Sequence, residues 1–345
     1  MSIKNLAVFL LNVSEGQNKK IIEAVASAAA NANDGFSSET SDGLAVPTTV
    51  LNIFTDYDYN RSVITIAAHV DYLAKSVVAA STLAAQQIDM TKHNGIHPRL
   101  GAVDLIPIHP LSTAVSLEKC GNIANDIACQ LVDKIDGFSC FLFGSADEEK
   151  KSLVDRRKEI GWFRGHSSVD YESGTSDLGS KCKRFGITGI GASYYVMNCN
   201  VTIKTQDLAV GRRIAKAIRG TSPGGLNGVQ AMAFPHRGNI EVACNVESYQ
   251  TTAEENEKSV SNPRQTTEQI GCESTENTEA IRKEWIYSSP QTIEQRVAEL
   301  ARNEGIELVG TALVGFTPDK AYELAIKNLR EGNSERWKIQ KVEHM

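Results

Sequence analysis

Residues 90 to 104, Met-Thr-Lys-His-Asn-Gly-Ile-His-Pro-Arg-Leu-Gly-Ala-Val-Asp, put two histidines, a lysine, an arginine, two glycines and a proline into one turn before a strand. A turn needs the glycine and the proline, but not the titratable and cationic groups around them. The crowding predicts a place where a proton is moved and an anion is held. His97 precedes Pro98, which restricts its backbone to extended geometry and fixes where the imidazole points. A near-neutral imidazole is suited to take a proton from an amine nucleophile and return it to a leaving group. Lys92 and Arg99 supply charge for a carboxylate, and Asp104 a group to orient a ring. The competing reading is a turn histidine that donates to a backbone carbonyl, and the residues alone leave both open.

His93 and His97 also have metal-ligand spacing, with His109 as a third candidate. A zinc pair at that spacing needs a helix to bring both rings to one face, and Gly95 and Pro98 oppose a helix. No metal is expected. The run Gly186-Ile-Thr-Gly-Ile-Gly-Ala192 resembles part of a dinucleotide fingerprint but lacks the strand before it and the helix after it. It reads as a backbone turn ahead of a strand at Tyr194, able to approach a flat ligand closely. Ser222-Pro-Gly-Gly225 reads as a helix stop. Asp56, Asp58 and Arg61 cluster at a strand turn and read as a solvated ion pair ahead of a ligand clamp.

These residues must be positioned by a fold that 345 residues with 41% hydrophobic and 23% charged content can build, enough for two packed units. The net charge of −6 argues against a nucleic-acid surface, where lysine and arginine cluster on phosphate. No apolar run approaches the ~20 residues of a membrane span, and Met1 to Leu11 lacks a signal-peptide pattern. The seven cysteines are scattered, with no Cys-x-x-Cys, which favours reduced thiols in a cytoplasmic protein. Cys120, Cys129, Cys140 and Cys244 read as small core residues.

Leu6 to Leu11 reads as a buried strand and Gln17 to Asn31 as a helix with Ile21, Ile22, Val25 and Ala29 on one face. Strands follow at 46–54 and 62–68, a helix at 71–89, a strand at 101–109, a helix at 117–135 and a short strand at 139–143. The second half repeats the order: a strand at 194–203 and a helix at 208–218 capped by Asp207. Next comes a hairpin of 228–234 with 239–246 across Pro235-His-Arg-Gly238. A helix at 292–302, a strand at 306–314 and a last helix at 319–329 complete it. A β-α-β-β-α-β order that occurs twice predicts an α+β protein of two ferredoxin-like subdomains, 1–192 and 193–345, each an antiparallel sheet with helices on one face. Residues 250–282 form a polar insertion unable to bury enough surface to order independently. The stretch 146–184 reads as a long irregular link carrying Trp162, Phe163, His166 and Tyr171.

The segment Asp89 to Asp104 closely resembles the signature of the formiminotransferase family, the transferase domain of formimidoyltransferase-cyclodeaminases and its stand-alone relatives. Asn12-Val-Ser-Glu-Gly16, Tyr59-Asn-Arg61, Gly186 to Ala192, Val229-Gln-Ala231 and Leu313-Val-Gly-Phe-Thr-Pro-Asp-Lys-Ala321 match in family order along nearly the whole chain. The resemblance implies a ligand groove between the subdomains and transfer of a formimino group from N-formimino-L-glutamate to N5 of tetrahydrofolate. That places the chain in one-carbon metabolism and histidine catabolism, as a cytoplasmic homodimer without the cyclodeaminase domain. It makes His97 the catalytic base and acid. Gly179 and Gly186 match the family's folate-contacting loop, and Asn60, Arg61, Thr188 and Gly191, in matching segments, are candidate folate or substrate contacts, as are Arg99, Lys181, Lys183 and Arg184 by their charge and position. Two departures stand out. The folate loop reads Ser180-Lys-Cys-Lys-Arg-Phe185, shorter and more basic than in the bifunctional enzyme, and its cations suit a folate glutamate tail. Phe54 stands where the bifunctional enzyme has an acidic residue, leaving Asp56 or Asp58 to supply one. Readings of another class are a folate-binding protein without turnover, and a metal-assisted hydrolase using His93, His97 and His109.

Overall fold

The computed structural model describes residues 4–36, 43–162, 176–250, 268–269 and 285–339. Strand β1 (Leu6–Val13) is buried along its whole length, and its apolar run from Leu6 to Leu11 is what a strand covered on both faces requires. β2 (Thr48–Asp56) pairs antiparallel with β3 (Arg61–His69), β3 with β1, and β1 with β4 (Val103–Pro110). Helices α1 (Lys19–Asn31) and α2 (Val70–Gln87) occupy the two crossovers. Order β2-β3-β1-β4 is the ferredoxin-like arrangement expected from the sequence.

The sheet then continues. α3 (Leu117–Lys134) leads into β5 (Ser139–Gly144), and β6 (Leu178–Gly179) and β7 (Thr188–Ala192) complete seven strands in the order β2-β3-β1-β4-β7-β5-β6. β7 runs parallel between β4 and β5. Of the turn expected at Gly186 to Ala192, residues Thr188 to Ala192 are therefore a central, fully buried strand. Its glycines misled the periodicity because they make room for neighbouring rings. A Cβ on Gly189 would lie 2.7 Å from both Phe141 Cζ and Leu105 Cδ1, and one on Gly191 would lie 2.6 Å from Phe143 Cγ.

One face of this sheet carries Phe9, Leu11, Ile64, Ile66, Ile106 and Ile108 against Ile22, Val25, Leu73, Val77, Ile127 and Leu131 of the helices. Each such side chain contributes on the order of 1.5–3 kcal/mol when fully removed from water. Side-chain caps fix where the helices begin: Asn18 accepts from Lys20 N, and Ser116 from Lys119 N, each contributing ~1 kcal/mol. The stretch 146–184 is not wholly irregular, since α4 (Leu153–Glu159) forms within it, capped by Ser152. Phe163, His166 and Tyr171 lie outside the described residues.

The described residues of Met1–Tyr194 and Lys320–Met345 make one compact unit and those of Tyr195–Asp319 a second. In the second, β8 (Met197–Ile203), α5 (Leu208–Ile218), β9 (Val229–His236) and β10 (Asn239–Val246) follow in order. Short strands β11 (Tyr249–Gln250), β12 (Glu268–Gln269) and β13 (Trp285–Tyr287) form a separate ribbon. Otherwise the insertion 250–282 lies outside the described residues. α6 (Pro290–Asn303) and β14 (Leu308–Val314) complete the second sheet in the order β14-β8-β10-β9, again ferredoxin-like. α7 (Pro318–Glu331) follows. Asp207 caps α5 as expected, accepting from Ala209 N and Val210 N. The hairpin turn is tighter than expected: His236 pairs with Asn239, so β9 includes Pro235, which an edge strand tolerates. No described helix is long and apolar enough to cross a membrane.

Candidate active site

Three segments of the first unit converge near one end of β1 and β3. The turn between β2 and β3 is held by Asp56, whose Oδ1 accepts from Tyr59 N at 2.8 Å. Asp56 is buried, so it is not solvated as the sequence led one to expect. Asn60 adopts φ +49, a left-handed conformation that asparagine tolerates better than other residues with a Cβ. Its amide fastens the other two segments: Oδ1 accepts from Gly16 N at 2.7 Å, and Nδ2 donates to Asn94 O at 2.9 Å. Gly95 completes the fit, because a Cβ there would fall 2.4 Å from Tyr59 O. Backbone must therefore approach backbone at the turn that leads to His97.

His97 is half-buried, with the buried Tyr59 ring 5.1 Å from its own and the Trp162 ring 6.4 Å away. Its Nδ1 lies 2.7 Å from Pro98 O. A carbonyl only accepts, so Nδ1 carries the proton. The remaining nitrogen, Nε2, lies 3.1 Å from Arg61 Nη1, and a guanidinium only donates, so Nε2 presents its lone pair. The carbonyl bond expected of a turn histidine is therefore present, and it leaves Nε2 as the nitrogen with the lone pair. Desolvation, with the charges of Arg61, Arg157 and Arg99 behind it, holds the imidazole well below its usual pKa, against the opposing bond to Pro98. The ring is neutral at pH 7.

Arg61, the first residue of β3, is placed by its second amino group, Nη2, which donates to Asn12 Oδ1 on β1. Arg157, on α4, stacks its guanidinium 4.6 Å above the Trp162 ring. Burial pushes it down to about 10, with Asp104 opposing the shift and Arg61 adding to it. Three guanidinium groups thus act on one neutral imidazole. The arrangement can hold an anion beside a base.

The other residues singled out in the sequence fall into three places. Arg99 staples the turn that carries His97: Nη1 donates to Gly95 O at 2.8 Å and to His97 O at 3.2 Å, and Nη2 to His93 O at 3.2 Å. His93 Nε2 donates to Asn60 O at 2.9 Å, and Asp104 Oδ1 accepts from Leu100 N at 2.6 Å. Asp104 therefore closes the turn from below and does not orient a ring. Lys92 is exposed, 3.8 Å from Asp89.

The loop after β6 is the second place. Arg184 donates to Gln86 O at the end of α2 at 2.9 Å and to Asp89 at 3.3 Å, and Lys183 is exposed and Lys181 half-buried. Gly179 and Gly186 take φ +78 and +70, and a Cβ on Gly186 would fall 2.0 Å from Leu100 O. Thr188 and Gly191 lie in buried β7, the hydroxyl of Thr188 donating to Val103 O at 2.7 Å. His109, the third place, is buried on β4 with Nδ1 3.0 Å from Ser193 O. Among the described residues no group of three or more His, Cys, Asp or Glu could hold a metal ion. Cys120, Cys140 and Cys244 are buried as expected, but Cys129 is exposed.

Sequence reasoning passed over Arg157 and gave Asn12 no role beyond a matching segment. Asn12 was legible as a polar residue ending an apolar strand. Arg157 sits in the basic run Arg156-Arg-Lys158, which by itself reads as a solvated helix face.

The duplicated ferredoxin-like α+β fold thus carries, in its first unit, a histidine set among arginines. The model of the formiminotransferase domain, N-terminal subdomain, matches residues 6–193, more than half of the chain, and the chain belongs to the formiminotransferase family. Its relatives include a formiminotransferase cyclodeaminase-like protein of Arabidopsis thaliana, 32% identical over 68% of this chain and 79% of the relative. A glutamate formimidoyltransferase of Thermoplasma acidophilum is 26% identical over 86% of this chain and 89% of its own. Another, from Streptococcus pyogenes serotype M1, is 29% identical over 62% and 67%.

Proposed function

We propose that this chain transfers a formimino group from N-formimino-L-glutamate to N5 of tetrahydrofolate, with His97 moving the proton. The observation that carries the reading is the state of that imidazole: neutral, with Nδ1–H fixed on Pro98 O and the Nε2 lone pair turned to Arg61. The family and the names of the relatives from Thermoplasma acidophilum and Streptococcus pyogenes support the donor and acceptor.

In this reading the donor carboxylate draws the Arg61 guanidinium to itself and releases Nε2. N5 of the folate attacks the amidine carbon, and as the N5–C bond forms, Nε2 takes the N5 proton. The imidazolium then returns that proton to the glutamate nitrogen as the C–N bond breaks, giving 5-formiminotetrahydrofolate and L-glutamate. Proton transfer of this kind contributes ~10²–10⁴-fold, and alignment of the two substrates contributes more. Tyr59 and Trp162 flank the ring and limit its access to water. Tetrahydrofolate is a co-substrate and no metal takes part. Cytoplasmic location and a homodimer belong to the same reading.

A second reading, folate binding without turnover, draws on Phe54 in the place of an acid. One experiment separates the two. Purified protein mixed with tetrahydrofolate and N-formimino-L-glutamate is expected to form 5-formiminotetrahydrofolate and free glutamate in equal amounts. Folate binding with no product would leave the second reading.

A further inference from the structure

Arg156 and Arg157 are neighbours on α4 with opposite circumstances. Arg156 is buried and fully paired: both oxygens of Asp177 lie 2.6 Å from its Nη2, and Glu159 lies 2.9 Å from its Nη1. Arg157 is half-buried and forms no ion pair among the described residues. Its Nε is buried without a hydrogen-bond partner. The carboxylate that acts on it through space, Asp104, is already bonded to Leu100 N at 2.6 Å. What holds Arg157 is a flat surface, the Trp162 ring 4.6 Å below its guanidinium carbon. Stacking fixes the plane of the guanidinium and leaves its edge, the fork that matches a carboxylate, available.

A desolvated cation with the charge of Arg61 acting on it is unfavourable until an anion arrives. The proposed donor brings two. Its α-carboxylate is attached to the carbon that bears the transferred nitrogen, so it lies close to the reacting amidine and next to Arg61, the cation in contact with Nε2. Its second carboxylate stands two methylenes further out and needs a second cation beyond the first.

We propose that Arg157 binds the side-chain carboxylate of the formimino donor and so sets the preference for a dicarboxylic donor. The assignment rests on the transferase reading above and adds which residue selects the donor. Trp162 acts as a positioning residue that holds the guanidinium flat.

The test compares N-formimino-L-glutamate with N-formimino-L-glutamine, whose side-chain amide has the same shape without the charge. The parental protein is expected to favour the glutamate donor in kcat/KM by about 10- to 100-fold, the range of a charge-assisted bond. Arg157→Met is expected to lose that preference, with the whole effect on the KM of the donor and the KM of tetrahydrofolate unchanged. Arg157→Lys, which keeps the charge and loses the fork, is expected to fall between and covers the case in which the methionine variant does not fold. A variant that discriminates as the parent does would overturn the assignment. So would a loss that falls on tetrahydrofolate, which would move Arg157 to the folate tail.

If the parental protein forms no product, the transferase reading fails and the arginine is judged by binding. L-glutamate is expected to change the fluorescence of the parental protein through Trp162, and L-glutamine is not, with the difference lost in Arg157→Met and reduced in Arg157→Lys. Equal responses to the two amino acids would refute the assignment by itself.

Discussion

Arg61 Nη1 rests 3.1 Å from His97 Nε2, so the one lone pair available for proton abstraction is occupied by a cation in the protein without substrate. The contact has two consequences. It adds to the desolvation that holds the imidazole below its usual pKa, and in the proposed reaction it makes release of Nε2 depend on something that attracts the guanidinium more strongly than a neutral nitrogen does. A carboxylate does so.

Replacing Arg61 by methionine removes a positive charge that opposes protonation of His97. The imidazole pKa is therefore expected to rise toward its ordinary value of ~6.5. An NMR titration of the His97 ring reads this without any turnover. A titration midpoint in Arg61→Met no higher than in the parent would show that the guanidinium does not act on the ring.

Gly95→Ala tests the turn that carries the base. The added Cβ meets Tyr59 O at 2.4 Å, and backbone must shift to relieve it. Displacement of a catalytic group by an ångström costs up to ~10²-fold in rate, so kcat is expected to fall at least about tenfold with the far-ultraviolet circular dichroism unchanged. Full activity in this variant would mean the close approach does not position His97.

His109 gives a stability prediction with a definite sign. Burial lowers its pKa to about 4, against the opposing backbone bonds to Ser193 and Tyr194. Between ~6.5 and about 4 the unfolded chain binds a proton here that the native protein does not, so stability falls as the pH falls through that window. The contribution is about 3 kcal/mol across the window, at ~1.4 kcal/mol per pH unit. Urea unfolding from pH 7 to pH 4.5 is expected to show a shallower loss in His109→Gln than in the parent. Identical slopes would contradict the assignment.

Much of the architecture was legible because local and global signals agreed. The unbroken apolar run of β1, the helical period of α1 and the Asp207 cap each state what the element is, and the repeated order fixes the ferredoxin-like pairing. β7 was not legible. A strand buried on both faces loses its period, and glycines in it read as a turn until Phe141 and Phe143 are known to need the space. The site divides in the same way. His97 shows itself through Pro98 and the local crowding of charge. Arg157 becomes visible only when α4 brings it over Trp162 within range of the imidazole. The bonds of Arg99 to three carbonyls of its own loop follow a backbone path that residue types do not reveal.

The central claim is that the Nε2 lone pair of His97 carries the proton of the transfer. The direct measurement is the single-turnover rate of 5-formiminotetrahydrofolate formation by His97→Ala, beside its affinity for tetrahydrofolate. A fall of ~10²–10⁴-fold with folate affinity unchanged is the expected result. Product formed at the parental rate by the alanine variant would contradict it.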